Sequence, residues 1–331
     1  MYKSQTIVPE KLKAGDEIRV IAPARSLSLI SAEVRQIAID NFESMGLKVT
    51  YSKNCEESDA FISSSIDSRI EDLHEAFRDK NVKGIFTVIG GYNSNQLLDS
   101  IDFELIKSNP KILCGYSDIT ILSNAIYAKT GLITYSGPHF STLGMKKGLE
   151  YTLEYMNKCL FEDLAFEINP SGTWSDEAWF LDQDNRKFEK NEGVKVFNEG
   201  ETEGVIIGGN LCTLNLLQGS EFMPTLSDSI LFIEDDSLSC PSTFERDLLS
   251  LIHQPGFESV KAVVIGRFQK DMEMTEELLT QVLSTKKALK DIPVIYDLDF
   301  GHTTPHITFP VGGTAKLKAS IEGVTLIIEE H

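Results

Sequence analysis

The segment KILCGYSDITILSNAIYAKTG, residues 111–131, joins an apolar run to a helix-like stretch through a glycine and a serine. Residues 111–115 predict a buried strand, and the residues from Asp118 onward predict a helix. Ser117 stands at the corner between them, so its hydroxyl points beyond the sheet edge, beside the unpaired N–H groups of the helix start. Ser117 is therefore either a nucleophile or the N-cap of that helix. Ile119 stands where the G-x-S-x-G motif of nucleophile elbows has its last glycine.

Strands and helices alternate on both sides of this corner. One helix covers residues 31–46, with apolar side chains at helical spacing, and Asp67 can cap a second helix. The alternation predicts an α/β fold with a parallel sheet covered on both faces, in which ligands bind beyond the carboxyl ends of the strands. Gly90, Gly91 and Ser117 all follow such ends. The other strands predicted in this half are EIRVIAP (17–23), LKVTYS (47–52), GIFTVIGG (84–91) and LITYSG (132–137).

The character of the sequence changes near residue 160, where it becomes polar and rich in turn residues. We therefore predict an N-terminal α/β domain over residues 1–165, which carries the serine corner, and a C-terminal β/α domain over residues 166–331. Helices are expected in the second domain at 211–218, 243–253 and 275–289. Its predicted strands are GVIIGG (204–209), SILFIE (229–234), AVVIGRF (262–268), IPVIYD (292–297) and VTLIIEE (324–330).

Composition narrows the class of protein. A chain of 331 residues exceeds the usual single hydrophobic core, which favours two domains. The net charge of −19 predicts that neither nucleic acid nor an anionic membrane surface is a partner, because both would be repelled. The start of the chain has no apolar signal-peptide region, and the five cysteines form no C-x-x-C pair, which is typical of reduced thiols. These features predict a cytoplasmic protein.

A carboxylate that could orient a histidine lies in the segment SILFIEDDS. Glu234 follows four apolar residues there and is expected to be half buried, where it would stabilise an imidazolium. Two alternatives stay open. Asp235 or Asp236 could cap the next helix, and Glu245 could pair with Arg246 or with a nearby lysine. The glycine pair before the serine corner likewise serves either to present N–H groups to a ligand or to form a plain turn.

Six histidines supply the candidates for a general base. His302 lies on a loop after a predicted strand, in DLDFGHTTPHITFPVGG, and His139 and His306 are the other two candidates. The remaining three lie at the chain end, on a helix surface or at a helix end. A metal site is not favoured, because His302 and His306 on a proline-containing loop lack acids or cysteines grouped at ligand spacing.

Several motifs together occur in the order seen in one known family, the serine LD-carboxypeptidases. They are GGYNSNQLL, GYSDITIL, SGP (136–138), GGNLCTLNLLQGS, ILFIEDD and GHTTPHITFPVG. Over nearly its whole length the chain resembles that family, which contains murein tetrapeptide carboxypeptidases and MccF-like microcin C resistance peptidases. The resemblance implies a flavodoxin-like or amidotransferase-like N-terminal domain, a swivelling β/α C-terminal domain, a cleft between them and a homodimer.

The resemblance also implies roles for particular residues. Transferred motif by motif, the family's nucleophile falls on Ser117, its acid on Glu234 and its base on His302, and its oxyanion hole on the N–H groups of Gly91 and Asp118. The chain would then be a serine carboxypeptidase or amidase with a Ser-His-Glu triad. Such an enzyme needs neither a metal nor an organic cofactor, and its substrate is a small molecule or a short peptide.

Within the family, the chain resembles the microcin branch more than the murein branch. Three segments show this resemblance: NSN after the glycines, the AIYAKTG helix end and an insertion around WSDEAWFLDQDN. It implies a peptidyl or aminoacyl nucleotide as substrate, with Asn210 and Trp179 as binding residues and Trp179 stacked on the base. The alternatives are a murein tetrapeptide as substrate, or a non-catalytic nucleotide or peptide sensor. Trp174 and Trp179 would equally serve to fasten their polar loop to the second domain.

Overall fold

The computed structural model of the chain describes residues 6–331. Its first half alternates strands with helices. The strands are β1 (Glu17–Ile21), β2 (Lys48–Tyr51), β3 (Val82–Thr87), β4 (Ile112–Cys114) and β5 (Thr134–Ser136). The helices are α1 (Ala32–Ser44), α2 (Ile66–Arg78), α3 (Phe103–Ser108), α4 (Thr120–Thr130) and α5 (Glu150–Phe161).

These five strands run parallel in the order β2-β1-β3-β4-β5. This is the flavodoxin-like order of doubly wound sheets. Every residue of β4 and β5 is buried, as expected of parallel strands that carry helices on both faces. The predicted α/β fold with a parallel N-terminal sheet is therefore confirmed.

The helix ends show where local prediction succeeded and where it did not. Helix α1 begins after Ser31, whose hydroxyl accepts the Val34 N–H, and Gly46 follows its end with φ 83°. The prediction that Asp67 caps α2 is wrong. The cap is Ser65, whose hydroxyl accepts the Ser68 N–H, and Asp67 lies inside the first turn.

The second half contains a larger mixed sheet. Its strands, and two short ones beside it, are β6 (Phe166–Glu167), β7 (Thr173–Trp174), β8 (Glu189–Lys190), β9 (Lys195–Asn198), β10 (Gly200–Asn210), β11 (Ser229–Glu234), β12 (Ala262–Gly266), β13 (Val294–Leu298), β14 (Phe309–Val311), β15 (Thr314–Ser320) and β16 (Gly323–Glu330). The helices are α6 (Leu211–Asn215), α7 (Pro241–Ile252) and α8 (Glu276–Ser284). The predicted helix over 275–289 ends at Ser284, and a separate 3₁₀ turn covers Lys287–Leu289.

Eight strands form this second sheet in the order β6-β16-β15-β10-β11-β12-β13-β9. Strands β10 to β13 run parallel, and β15 and β16 add an antiparallel edge. Strand β14 instead joins the first sheet, where it pairs antiparallel with β5. Strands β6 to β9, β14 and β15 were not predicted. All of these except β15 are two to four residues long, and β14 contains Pro310, so their sequence signals are weak.

Helix α4 connects the two sheets at the edge where ligands are expected. The Asn210 N–H donates to Thr120 Oγ1 at 3.0 Å. Gly209 has φ 131°, and a Cβ there would lie 2.4 Å from Thr120 Oγ1, so this approach requires glycine. Asn210 stands opposite Glu234 in the β10–β11 register. The helix that follows the serine corner is thus held against the carboxyl ends of the second sheet. The domain boundary at residue 165 stays a prediction.

Candidate functional site

Ser117 lies at a strained corner between β4 and α4. Its φ is 59°, in the left-handed region that a side chain rarely adopts, and a 3₁₀ turn over Ser117–Ile119 leads into α4. The residue at the N-cap of α4 is Ile119, and the Ser117 hydroxyl makes no capping bond. The N-cap alternative is therefore wrong. Ser117 Oγ instead lies 3.0 Å from His302 Nε2.

The glycines around this corner give the serine its space. A Cβ on Gly90 would lie 2.9 Å from both Cβ and Oγ of Ser117, so a larger residue would displace the hydroxyl. A Cβ on Gly115 would lie 2.2 Å from Thr87 Oγ1. The glycine pair is thus more than a turn, because it lets the β3 loop lie directly against the serine.

Asp118 fixes the loop beside the corner with its side chain. Its Oδ2 accepts the N–H groups of Asn93 and Ser94, each at 3.0 Å, and its carbonyl accepts the Ser94 hydroxyl at 2.7 Å. Burial raises the pKa of Asp118, and these hydrogen bonds oppose the rise. Within residues 6–331 the backbone N–H groups of Asp118 and Gly91 donate to no other group, so both are free to meet a ligand.

Glu234 and His302 come from the second half of the chain. Glu234 ends β11 with only 2% of its surface exposed, and its Oε2 lies 2.8 Å from His302 Nδ1. Gly301 holds the His302 loop close, since its φ is 102° and a Cβ there would lie 2.6 Å from Glu234 Oε2. The structure therefore brings together Ser117, His302 and Glu234, the three residues that the resemblance implied, in one hydrogen-bonded row.

The charge of His302 depends on a group of carboxylates. Burial by itself would lower the pKa of His302, but the Glu234 carboxylate, with Asp236 and Asp235, raises that pKa to about 9. Asp236 Oδ2 lies 3.7 Å from His302 Nε2, on the serine side of the ring. The free site therefore holds an imidazolium at neutral pH, and the neutral base appears as the pH rises.

We expect kcat/KM to rise with pH and to reach half its limit near pH 9, because the neutral form of His302 accepts the serine proton. Asp236→Asn should move this midpoint to lower pH, since one carboxylate that favours the imidazolium is removed. Asp271→Asn, which changes an exposed acid elsewhere, should leave it in place. A pH profile that is flat between about 6 and 9 would contradict the assignment of His302 as base.

The other two base candidates do not reach Ser117. His139 and His306 are buried around the Tyr116 ring, with ring centroids 4.4 and 5.0 Å from it. Burial lowers the pKa of His306 to about 4 and that of His139 well below its ordinary value, so both stay neutral. His139 and His306 thus pack as neutral rings against Tyr116. The centroid of the Tyr116 ring also lies 5.3 Å from that of the His302 ring.

One alternative was that Asp235 or Asp236 caps the next helix, and this is wrong. Helix α7 has Cys240 at its N-cap, without a side-chain capping bond. Asp235 is buried, and burial with the Glu234 charge raises its pKa to about 7. The role of Asp236 beside His302 was missed, although the run of three acids at the end of a buried strand was a visible signal. Glu245 pairs with Lys286 at 2.9 Å, as the other alternative allowed.

The predicted substrate-binding residues lie in different surroundings. Asn210 is 2% exposed and caps α6, where its Oδ1 accepts the Thr213 N–H. Trp174 packs on Arg267 and Lys270 at 5.0 and 5.2 Å, so it fastens its loop to the segment that follows β12.

The loop that carries Trp179 is hydrogen-bonded to the loop that carries His302. Ser175 and Thr304 exchange two backbone hydrogen bonds of 2.7 Å. Trp179 stays partly exposed, with the exposed Phe180 as its aromatic neighbour at 6.0 Å. A nucleobase contact of Trp179 remains a prediction.

Two absences concern the described residues only. None of the helices within 6–331 combines the length and the apolar character that a membrane span requires. In the same part of the chain, no three His, Cys, Asp or Glu side chains are grouped as metal ligands. All five cysteines are free thiols.

A serine in a strained strand–helix corner, bonded to an imidazole that a buried carboxylate orients, is the arrangement of a serine hydrolase site. The family comparison agrees. The model for the LD-carboxypeptidase N-terminal domain matches residues 18–137, and that for the LD-carboxypeptidase C-terminal domain matches residues 203–317. The chain belongs to the LD-carboxypeptidase family and is a serine-type carboxypeptidase.

Individual relatives cover nearly the whole chain. The putative carboxypeptidase YocD of Bacillus subtilis is 55% identical over 97% of this chain and 99% of its own. A crystal structure of an MccF-like protein from Bacillus anthracis has 55% identity and a TM-score of 0.97, covering 98% of this chain and 100% of its own. The microcin C7 self-immunity protein MccF of Escherichia coli is 32% identical over 100% of this chain and 98% of its own.

Proposed function

We propose that Ser117, His302 and Glu234 form the catalytic triad of this carboxypeptidase. The row of hydrogen bonds Ser117 Oγ–His302 Nε2–Glu234 is the observation that carries the proposal. Neutral His302 accepts the hydroxyl proton at Nε2 as Oγ attacks the carbonyl carbon. Glu234 accepts the Nδ1–H bond, which fixes the tautomer and stabilises the imidazolium that forms.

The N–H groups of Gly91 and Asp118 then stabilise the oxyanion. Both are unused donors within the described residues, and preorganised donors of this kind stabilise the charge that develops in the transition state. His302 gives its proton to the leaving nitrogen as the C–N bond breaks, and the acyl group stays on Ser117. Water, deprotonated by the same histidine, hydrolyses the acyl-enzyme.

For the substrate we propose a peptidyl or aminoacyl nucleotide of the microcin C type. The support comes from relatives, since MccF, 30% identical with a TM-score of 0.86, has been solved in complex with glutamyl sulfamoyl guanosine. The partly exposed Trp179, on the loop tied to Thr304, is suited to stack on a base.

A murein tetrapeptide is the second candidate. It is favoured by the 26% identity, over 92% of this chain, to the murein tetrapeptide carboxypeptidase of Pseudomonas aeruginosa. Incubation of the enzyme with both substrate classes, followed by mass spectrometry of the products, separates the two. We expect faster release of the amino acid from the nucleotide. Cleavage of the tetrapeptide alone would overturn the preferred substrate.

Trp179→Ala should raise KM for an aminoacyl nucleotide about 5- to 150-fold with a smaller change in kcat, the range for losing one aromatic–base stack. Activity on a short murein peptide, which has no base, should barely change. Trp174→Ala is the matched control, because its ring packs on Arg267 and Lys270 and its loss should lower the melting temperature. Equal losses on both substrates for Trp179→Ala, with a lowered melting temperature, would assign Trp179 to packing.

We also propose a cytoplasmic location and a homodimer, as the family resemblance implied. Light scattering coupled to size exclusion would report twice the chain mass of 36.9 kDa for a dimer.

A further inference from the structure

The crevice between the ends of β1 and β3 is the place where a flavodoxin-like sheet holds its ligand, because the strand order reverses there. The loops that leave the two strands run side by side. The Val88 N–H donates to the Ile21 carbonyl at 2.9 Å, and the Arg25 N–H donates to the Gly90 carbonyl at 3.4 Å. Arg25 therefore stands next to the glycine pair that borders Ser117.

The stem of the Arg25 side chain covers Gly91. A Cβ on Gly91 would lie 3.3 Å from Arg25 Cγ and 3.0 Å from Ala24 Cβ. The root of the side chain is held on its other flank, where the Ser26 N–H donates to the Ile62 carbonyl at 2.9 Å and Ser63 Oγ donates to the Ala24 carbonyl at 2.6 Å. The backbone from which the Arg25 side chain extends is therefore held in place by hydrogen bonds. It lies beside Gly91, which supplies one proposed oxyanion donor.

The Arg25 guanidinium has no anionic partner. Within residues 6–331 no carboxylate oxygen lies within 4.0 Å of it, and its buried Nε has no hydrogen-bond acceptor. By contrast, Arg19 bonds to Glu17 and Asp79, each at 3.1 Å. In a chain with 50 acidic residues against 31 basic ones, an arginine without a carboxylate partner, packed on the glycine pair that borders Ser117, is a cation left available for a ligand.

Charge also decides which side of Ser117 an anion can occupy. His302 approaches the serine hydroxyl on the side of Glu234 and Asp236, whose carboxylates offset the charge of the imidazolium there and leave no free cation for an anionic ligand. On the Gly90–Gly91 side, the stem of the Arg25 side chain packs on Gly91. A guanidinium offers two parallel N–H donors to a carboxylate or a phosphoryl group.

We propose that Arg25 binds the anionic group of the leaving part of the substrate, the carboxylate of a C-terminal residue or the phosphoryl group of a nucleotide. The assignment rests on the proposed function, in which the bond next to that group is cleaved. Only the amide nitrogen and one α-carbon separate a terminal carboxylate from the scissile carbonyl. A cation whose side chain packs on the glycine that supplies an oxyanion donor is therefore suitably placed to hold it.

The test measures binding in the Ser117→Ala background, where no turnover occurs, and turnover in the wild-type background. Each ligand is paired with a neutral twin: an N-acyl dipeptide ending in D-alanine with its C-terminal amide, and an aminoacyl phosphoramidate of AMP with the aminoacyl amide of 5′-amino-5′-deoxyadenosine. Arg25→Gln should weaken binding of the anionic ligands about 10- to 150-fold, the range for a hydrogen bond to a charged group, and lower their kcat/KM alike. The neutral twins should change less than about 2-fold.

Arg246→Gln removes the same charge from an exposed position of α7 and should change neither member of a pair. Loss confined to the dipeptide pair identifies the carboxylate as the group bound, and loss confined to the nucleotide pair identifies the phosphoryl group. Equal changes on anionic and neutral ligands, or no preference for the anion before the substitution, would overturn the assignment. If Arg25→Gln turned over the anionic substrates at the wild-type rate, the role of Arg25 would be overturned, but the proposed Ser117 mechanism would not.

Discussion

Ser117→Ala should lower kcat by about 10⁶-fold, the loss found when the nucleophile of another serine hydrolase is removed. The Ser117 hydroxyl contacts His302 and borders Gly90, and it makes no helix-capping bond, so its removal deletes the attacking atom without unfolding the corner. Steady-state kinetics and circular dichroism on the same preparation measure both parts of this expectation.

Ser123→Ala is the matched control for that variant. Ser123 is a buried serine of the same helix, α4, and its hydroxyl has no hydrogen-bond partner among the described residues. It should keep wild-type activity. If Ser117→Ala retained more than about a tenth of the wild-type rate, Ser117 would not be the nucleophile of a triad, whose loss costs several orders of magnitude.

His302→Ala should be about as damaging as Ser117→Ala, and Glu234→Gln should lower kcat by roughly 10⁴-fold. The histidine is the only imidazole within hydrogen-bond distance of Ser117 Oγ in residues 6–331. The glutamine keeps the volume of the buried Glu234 but offers an amide that can donate to Nδ1, which favours the wrong tautomer of His302. The measurement is kcat at the pH optimum of each variant.

His253→Ala, at the exposed end of α7, should have no effect. His139→Ala and His306→Ala should be much less harmful to kcat than His302→Ala, because neither ring is bonded to Ser117. Chelators should leave activity unchanged. Inhibition by a chelator with rescue by zinc would exclude the triad as the source of catalysis.

Much of the fold could be predicted from the hydrophobic periodicity of the sequence and from its turn residues. Runs such as SILFIE, buried at all six positions, have no polar residue inside and predict strands covered on both faces. The failures were local. Ser65 rather than Asp67 caps α2, since both residue types cap well and only the backbone decides between them. Strand β14 was missed because it is short and crosses to the sheet of the other half of the chain.

The site shows a similar division. Ser117 was visible as a corner residue, but its pairing with His302, 185 positions away, came from the family resemblance and not from spacing. Asp236 beside His302 Nε2, and Arg25 without a carboxylate partner, depend on which loops meet beyond the strand ends. A single sequence does not encode such distances in any periodic pattern.

The most direct test of the account is the mass of the protein after treatment with a fluorophosphonate, followed by peptide mapping. We expect one adduct per chain, on Ser117, in the wild type. Ser117→Ala should give none, and His302→Ala should label much more slowly, because the hydroxyl then lacks the base that takes its proton. An adduct on a different residue, or labelling that persists in Ser117→Ala, would contradict it.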